Sequence, residues 1–130
     1  MTGKFINVDI EIFSERPLGR LKKEFEELGA YHLYCGRHSS GYLLTLEKNT
    51  FLRATLERRL VSLCRLVERL SPKGRKLWDA ATIRSFDIGI EAVDDHQAAR
   101  FSVPEKLVQR IANLGGTLAV TVYAPETYPP

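Results

Sequence analysis

The 130 residues, 14.8 kDa in mass, suit one domain with a buried core, since a chain of this size hides about two-thirds of its unfolded surface. Hydrophobic residues at 44% and charged ones at 27% are ordinary globular values, which sets aside disordered and fibrous classes. The net charge is +3, no apolar run approaches the ~20 residues of a membrane span, and the start MTGKFINVDI lacks a signal peptide's apolar region, so a cytoplasmic protein is expected.

The first segment, FINVDIEIF, alternates Ile6, Val8, Ile10 and Ile12 with Asn7, Asp9 and Glu11, the period of a strand with one buried face. From Pro17, the residues Leu18, Leu21, Phe25 and Leu28 recur at helical spacing until Gly29 supplies a stop. AYHLYC then leads through the turn GRHSSG into YLLTLE, an antiparallel hairpin. Asn49 or Thr50 is placed to cap the longest helix, whose stripe runs Leu52, Leu56, Leu60, Leu63, Val67 and Leu70 up to Ser71 and Pro72. KGRKLWDAA follows as a loop or a short helix, with Leu77 and Trp78 docking it onto the domain.

SFDIGIEA reads as a further strand that alternates Phe86, Ile88, Ile90 and Ala92 with Asp87, Gly89 and Glu91. In SVPEKLVQRIANLGG, Ser102 and Glu105 have capping-box spacing, Pro104 sits in the first turn, and Gly115 or Gly116 ends the helix. TLAVTVYA is the last strand, and the proline-rich residues 124–130 form a loose tail. The two strand–helix–strand stretches, each with a leucine-glycine stop, read as a duplicated βαβ unit. The predicted fold is a single α+β domain over 1–130: a two-layer sandwich, ferredoxin-like with an extra strand, of about five strands and three main helices.

Gly41 and Tyr42 in RHSSGYLLTLE match two positions of the third-strand motif of RNA-recognition sheets, but Leu43, Leu44, Thr45 and Leu46 follow where base-stacking aromatics are needed. Tyr42, Leu44 and Leu46 are therefore read as core. Once Ile6, Val8, Ile10, Ile12, Phe86, Ile88, Ile90, Leu118, Val120 and Val122 face the helices, the open sheet face gathers Asp9, Glu11, Glu47, Asp87 and Glu91, which repel phosphate. His32, Tyr34 and Tyr123 are expected there as aromatic or polar anchors. Such a face suits a cationic protein partner or a second copy of the chain.

Residues 50–76 hold eight basic and two acidic residues, including Arg53, Arg58, Arg65, Arg69, Lys73 and Arg75. This is the alternative site, for nucleic acid; the blander reading is a solvated face whose arginine stems cover apolar surface. His32, Cys35 and His38 are metal-binding residue types, but residues three apart on a strand face opposite sides and no fourth ligand is evident, so no metal is assigned. Cys35 and Cys64 read as buried, reduced thiols. Asp94, Asp95 and His96 would serve acid-base chemistry only around a pocket, and no phosphate loop, nucleophile elbow or cofactor motif accompanies them, so neither catalysis nor a cofactor is assigned. A homodimeric small-molecule-binding domain or enzyme is a further alternative.

The N-terminal strand and helix ending in Leu28-Gly29, the strand YLLTLE, the leucine-rich helix and the closing LVQRIANLGGTLAVTVY together resemble a bacterial family known as a domain of unknown function. Some of its members are thought to act as immunity proteins against toxins from neighbouring cells. The similarity covers most of the chain and rests on packing motifs; Tyr42 stands where the family often has tryptophan, and a Pro and Lys-Gly signal after the first helix is missing. The resemblance implies a small protein-binding domain, an immunity-type inhibitor that acts by surface complementarity without catalysis. It carries over no functional residue.

Overall fold

A computed structural model describes residues 2–48, 54–93 and 98–124, with the side chains of 2, 3 and 6 excepted. The elements are β1 (Thr2–Ser14), α1 (Gly19–Glu27), β2 (Ala30–His38), β3 (Gly41–Lys48), α2 (Leu56–Glu68), α3 (Pro72–Ala80), β4 (Ile83–Val93), α4 (Glu105–Asn113) and β5 (Thr117–Tyr123). The five strands form one sheet in the order β2-β3-β1-β4-β5, antiparallel throughout except for the parallel pair β4 and β5. The protein is thus α+β with four helices, one more than the main helices expected.

The two strand–helix–strand stretches are not equivalent. β4 and β5 lie side by side across α4, whereas β3 separates β1 from β2. A hairpin partner that fits between two parallel strands explains the difference: β3 is antiparallel to both its neighbours.

The alternating pattern of β1 places Val8, Ile10 and Ile12 in the core with Leu44, Leu46, Phe86 and Ile88, beneath Leu21 and Phe25 of α1 and the apolar stripe of α2; Ile6, expected with them, falls at a register shift between Phe5 and Asn7, and its side chain lies outside the described part. Burying one such side chain contributes about 1.5–3 kcal/mol. Trp78 of α3 is fully buried and meets Phe25 and Phe86 edge-on, with ring centroids 6.3 and 6.2 Å apart. Its indole N–H donates to the carbonyl of Leu114 at 2.7 Å, which satisfies a carbonyl at the end of α4. Leu77 and Trp78 therefore dock α3 as expected, and the segment is a helix because Ser71 caps it, accepting from the Gly74 N–H at 3.0 Å, with Pro72 in the first turn.

Two half-buried charged side chains join the same elements. The Glu24 carboxylate accepts from the Ser71 backbone N–H and hydroxyl, both at 2.9 Å, and so joins α1 to the start of α3. Burial works to raise its pKa, but the Ser71 bonds and Arg20 outweigh that and hold it below the usual range. Arg84 donates to the carbonyls of Trp78, Asp79, Ala81 and Gly115, closing the ends of α3 and α4.

Several boundaries differ from expectation. α2 begins at Leu56 with Thr55 as cap, whose hydroxyl accepts from the Arg58 N–H at 3.2 Å; Asn49, Thr50 and Leu52 lie outside the described residues. The capping box of α4 does not form, because Pro104 is its N-cap and no side chain caps it; Gly115, at φ 73, ends it as predicted. The hairpin turn is only Ser39-Ser40, so Gly36, Arg37 and His38 belong to β2. Gly41 answers to packing, since a Cβ there would lie 2.5 Å from the Ser14 carbonyl oxygen. Leu118, Val120 and Val122 sit on the helix side in register with Phe86, Ile88 and Ile90, yet they are exposed, because β5 is the sheet's edge. Residues 125–130, most of the predicted tail, lie outside the described part.

Candidate partner-binding face

The side of the sheet away from the helices is built by the odd-numbered residues of β1 from Asn7 to Phe13; a register shift between Phe5 and Asn7 turns Phe5 to the core side and sets Lys4 opposite Glu91. At one end Phe13 pairs with Leu43 and Ile83, an apolar zone. Next, Glu11 pairs with Thr45 and Ser85, and Thr45 in turn with Tyr34. One row then crosses all five strands: Tyr31, Glu47, Asp9, Asp87 and Ala119. Asp9 and Asp87 are direct cross-strand partners, and Glu47 follows Leu46, the partner of Ile10, so it flanks Asp9 on the other side. Like charges placed directly opposite one another destabilise a sheet.

Asp9 carries the consequence. Its Oδ1 is buried without a hydrogen-bond partner. Burial, and then the charges of Glu47, Asp87 and Glu11, push its pKa up to about 7. The neighbours are better served: Thr121 Oγ1 lies 2.8 and 2.9 Å from the two oxygens of Asp87. The Tyr31 hydroxyl is raised above its ordinary pKa by burial and by its hydrogen bond to Glu47.

Beside this row the face dips into a pocket of about 490 Å³ lined by Asn7, Asp9, Asp87, Gly89, Glu91, Tyr123 and Ala124. Gly89 keeps its floor open; a Cβ there would meet Asn7 O and Tyr123 Cε2 at 3.5 Å, ordinary contact. Arg59 touches the lining through Asn7 Oδ1 at 3.3 Å and stacks on Phe5. Among the described residues, none of Asp9, Glu11, Glu47, Asp87 and Glu91 is in an ion pair.

Of the residues expected on this face, Asp9, Glu11, Tyr34, Glu47, Asp87, Glu91 and Tyr123 lie there. His32 does not. A bulge between His32 and Tyr34 gives β2 one extra residue, so His32 pairs with buried Leu46 and turns to the helix side, its Nδ1 3.8 Å from Glu26 of α1. The same shift puts Tyr31 on the open face, where strict alternation from Tyr34 excludes it. It also puts Cys35, the partner of Leu44, on the same side as His32, where the edge position of β2 leaves it only half-buried, while Cys64 is buried as expected; both are free thiols. Among the described residues no three His, Cys, Asp or Glu are arranged to hold a metal ion. Asn7, Gly89 and Thr121 are further lining or supporting residues; the alternation of β1 and β4 signals the first two, while Thr121 depends on the pairing of β5.

The basic alternative is dispersed. Arg58, Arg65 and Arg69 are exposed at spacings that align them along α2, and Lys73 is exposed on α3. Arg75 is paired with Asp79 at 3.1 Å, while Arg53 lies outside the described residues, as do Asp94, Asp95 and His96. Tyr42 lies against the core, with Arg37 over its ring, so the Gly41-Tyr42 pair offers the open face no base-stacking ring. No described helix is long and apolar enough to cross a membrane. Comparison with protein-family models, curated proteins and solved structures gives no match.

Proposed function

We propose that the open sheet face is a docking surface for a protein partner that inserts a lysine or arginine side chain into the pocket beside Asp9 and lays apolar surface over Phe13, Leu43 and Ile83. The observation that carries this reading is the buried, unpartnered Oδ1 of Asp9 beside Glu47, Asp87 and Glu11, none of which is in an ion pair among the described residues. A buried polar atom without a partner costs free energy, and a fold keeps such a cost where a ligand removes it. An incoming ammonium or guanidinium supplies both the hydrogen bond and the countercharge. It displaces the proton held by Asp9, so affinity rises as pH climbs through about 7. The acidic field steers the encounter, and the apolar zone and tyrosines supply the contact area.

In this reading the protein is a small binding domain of the immunity-inhibitor kind, acting without catalysis. The fold suits it as a ferredoxin-like two-layer plan, β2-β3-β1-β4 under its helices, extended by β5; this leaves one broad sheet face unclaimed by the core.

The experiment is selection from a displayed library of protein fragments from the native host, run in parallel on the unaltered protein, Asp9→Asn/Asp87→Asn and Gly89→Leu. Recovered fragments are expected to carry a basic residue beside apolar ones and to be lost on both variants, the first by charge and the second by filling the pocket. Fragments that bind all three proteins equally, or no recovery at all, would remove the reading.

A further inference from the structure

The two edges of the sheet are built differently. β2 carries Arg37 with His32 and His38, is broken by the bulge at His32/Tyr34, and loses a side chain at Gly36, devices that discourage pairing with another chain. β5, Thr117 to Tyr123, holds no charge, no proline and no register shift, and among the described residues no strand pairs with its outer backbone edge. On its helix side Leu118, Val120 and Val122 are exposed by 37, 56 and 61%. Val108 of α4 adds apolar surface at 43% exposure.

From this we infer that β5 pairs with β5 of a second copy of the chain, antiparallel about a two-fold axis at Val120, so that two five-stranded sheets become one. The strand is chemically palindromic about that residue. The register sets Val120 against itself, Leu118 against Val122, Ala119 against Thr121, and Thr117 against Tyr123. Each pair joins residues on one face: the helix-side pairs are apolar, Thr117 against Tyr123 matches a β-branched residue to an aromatic, and Ala119 against Thr121 brings small side chains together without charge. An isologous contact demands such self-complementarity, and a foreign strand does not.

Charge agrees with the second copy as occupant. With strands about 4.8 Å apart, Asp87 and Glu91 of the two copies are separated by three strand spacings, roughly 14 Å. That exceeds the screening length of about 8 Å at physiological salt. The axis stands normal to the sheet, so both acidic pockets open on the same face, with Thr117 of the second copy beside Tyr123 at each pocket's rim. The pairing does not depend on what the pockets bind.

Sedimentation velocity of the full chain across a concentration series tests the inference. A dimer is expected, and Val120→Lys should be monomeric with unchanged circular dichroism and thermal midpoint, because the side chain is exposed in the single copy. Val120→Cys in a Cys35→Ser background should form a covalent dimer on mild oxidation, since directly opposed residues on paired strands lie within disulfide reach. Leu33→Cys in the same background, on the opposite edge, should not. A monomer at every concentration would overturn the inference. So would a dimer that survives Val120→Lys and gives no cross-link at position 120.

Discussion

On its helix side β1 buries Ile10 and Ile12 completely, among Leu44, Leu46 and Phe86; one residue along, on the open side, Asp9 and Glu11 stand with Glu47 and Asp87, none of them in an ion pair among the described residues. Polar groups within the helix layer are matched one by one: the Trp78 indole to Leu114, Glu24 to Ser71, and Arg84 to four carbonyls. On the open face a carboxylate oxygen is left unmatched. The same strand thus stabilises the fold on one side and sacrifices stability on the other. The proposed docking rests on that asymmetry.

Substitutions on the two sides must therefore differ in sign. Trp78→Ala should have the largest effect, a loss of about 3–5 kcal/mol in urea unfolding, because it empties the space between Phe25 and Phe86 and removes the donor to Leu114. Glu24→Ala should cost about 1–3 kcal/mol by the same measurement, since two Ser71 donors lose a charged acceptor. Asp9→Asn should act the other way, raising stability at neutral pH by about 1–2 kcal/mol.

The pH dependence follows from the direction of the Asp9 shift. Its carboxyl is raised from 3.8 to about 7 in the folded state, so both states hold the proton below 3.8 and only the folded state holds it between the two values. Stability contributed by Asp9 is therefore fully present at low pH and is lost as pH rises through about 7. Asp9→Asn should remove this fall and coincide with the unaltered protein at acid pH. The smallest effect sharpens the hairpin at the edge of the open face: Ser39, at φ 55, holds a left-handed conformation, and Ser39→Gly should gain about 0.5–1 kcal/mol in thermal unfolding.

Much of this contrast was legible in the sequence. Period-two alternation in β1 and β4 assigns Asp9, Glu11, Asp87 and Glu91 to one side and Ile10, Ile12 and Ile88 to the other, because a strand offers a side chain no third direction; it fails at the register shift between Phe5 and Asn7, which strict alternation does not foresee. Helical spacing finds Leu21 and Phe25 for the same kind of reason. What escaped were departures from strict period. The bulge in β2 sends His32 to the helix side and brings Tyr31 to the open face, and no residue between Ala30 and Tyr34 announces it. The exposure of Leu118, Val120 and Val122 escaped as well, since alternation says which side a residue faces and not whether a helix reaches that far. Ser102 and Glu105 had capping-box spacing, but the chain enters α4 at Pro104, two residues later than the box requires. The pocket was illegible for a further reason: it depends on the register of three strands and on Gly89 lying between Asn7 and Tyr123.

The most direct measurement is a pH titration of the Asp9 side-chain carboxyl carbon by NMR in the folded protein. The account predicts a midpoint near 7, well above the ordinary 3.8, and a fall in that midpoint when a basic partner fragment occupies the pocket. A midpoint at the ordinary aspartate value in the free protein would contradict it, because Asp9 would then be solvated or already paired and the open face would lack the unmet charge on which docking rests.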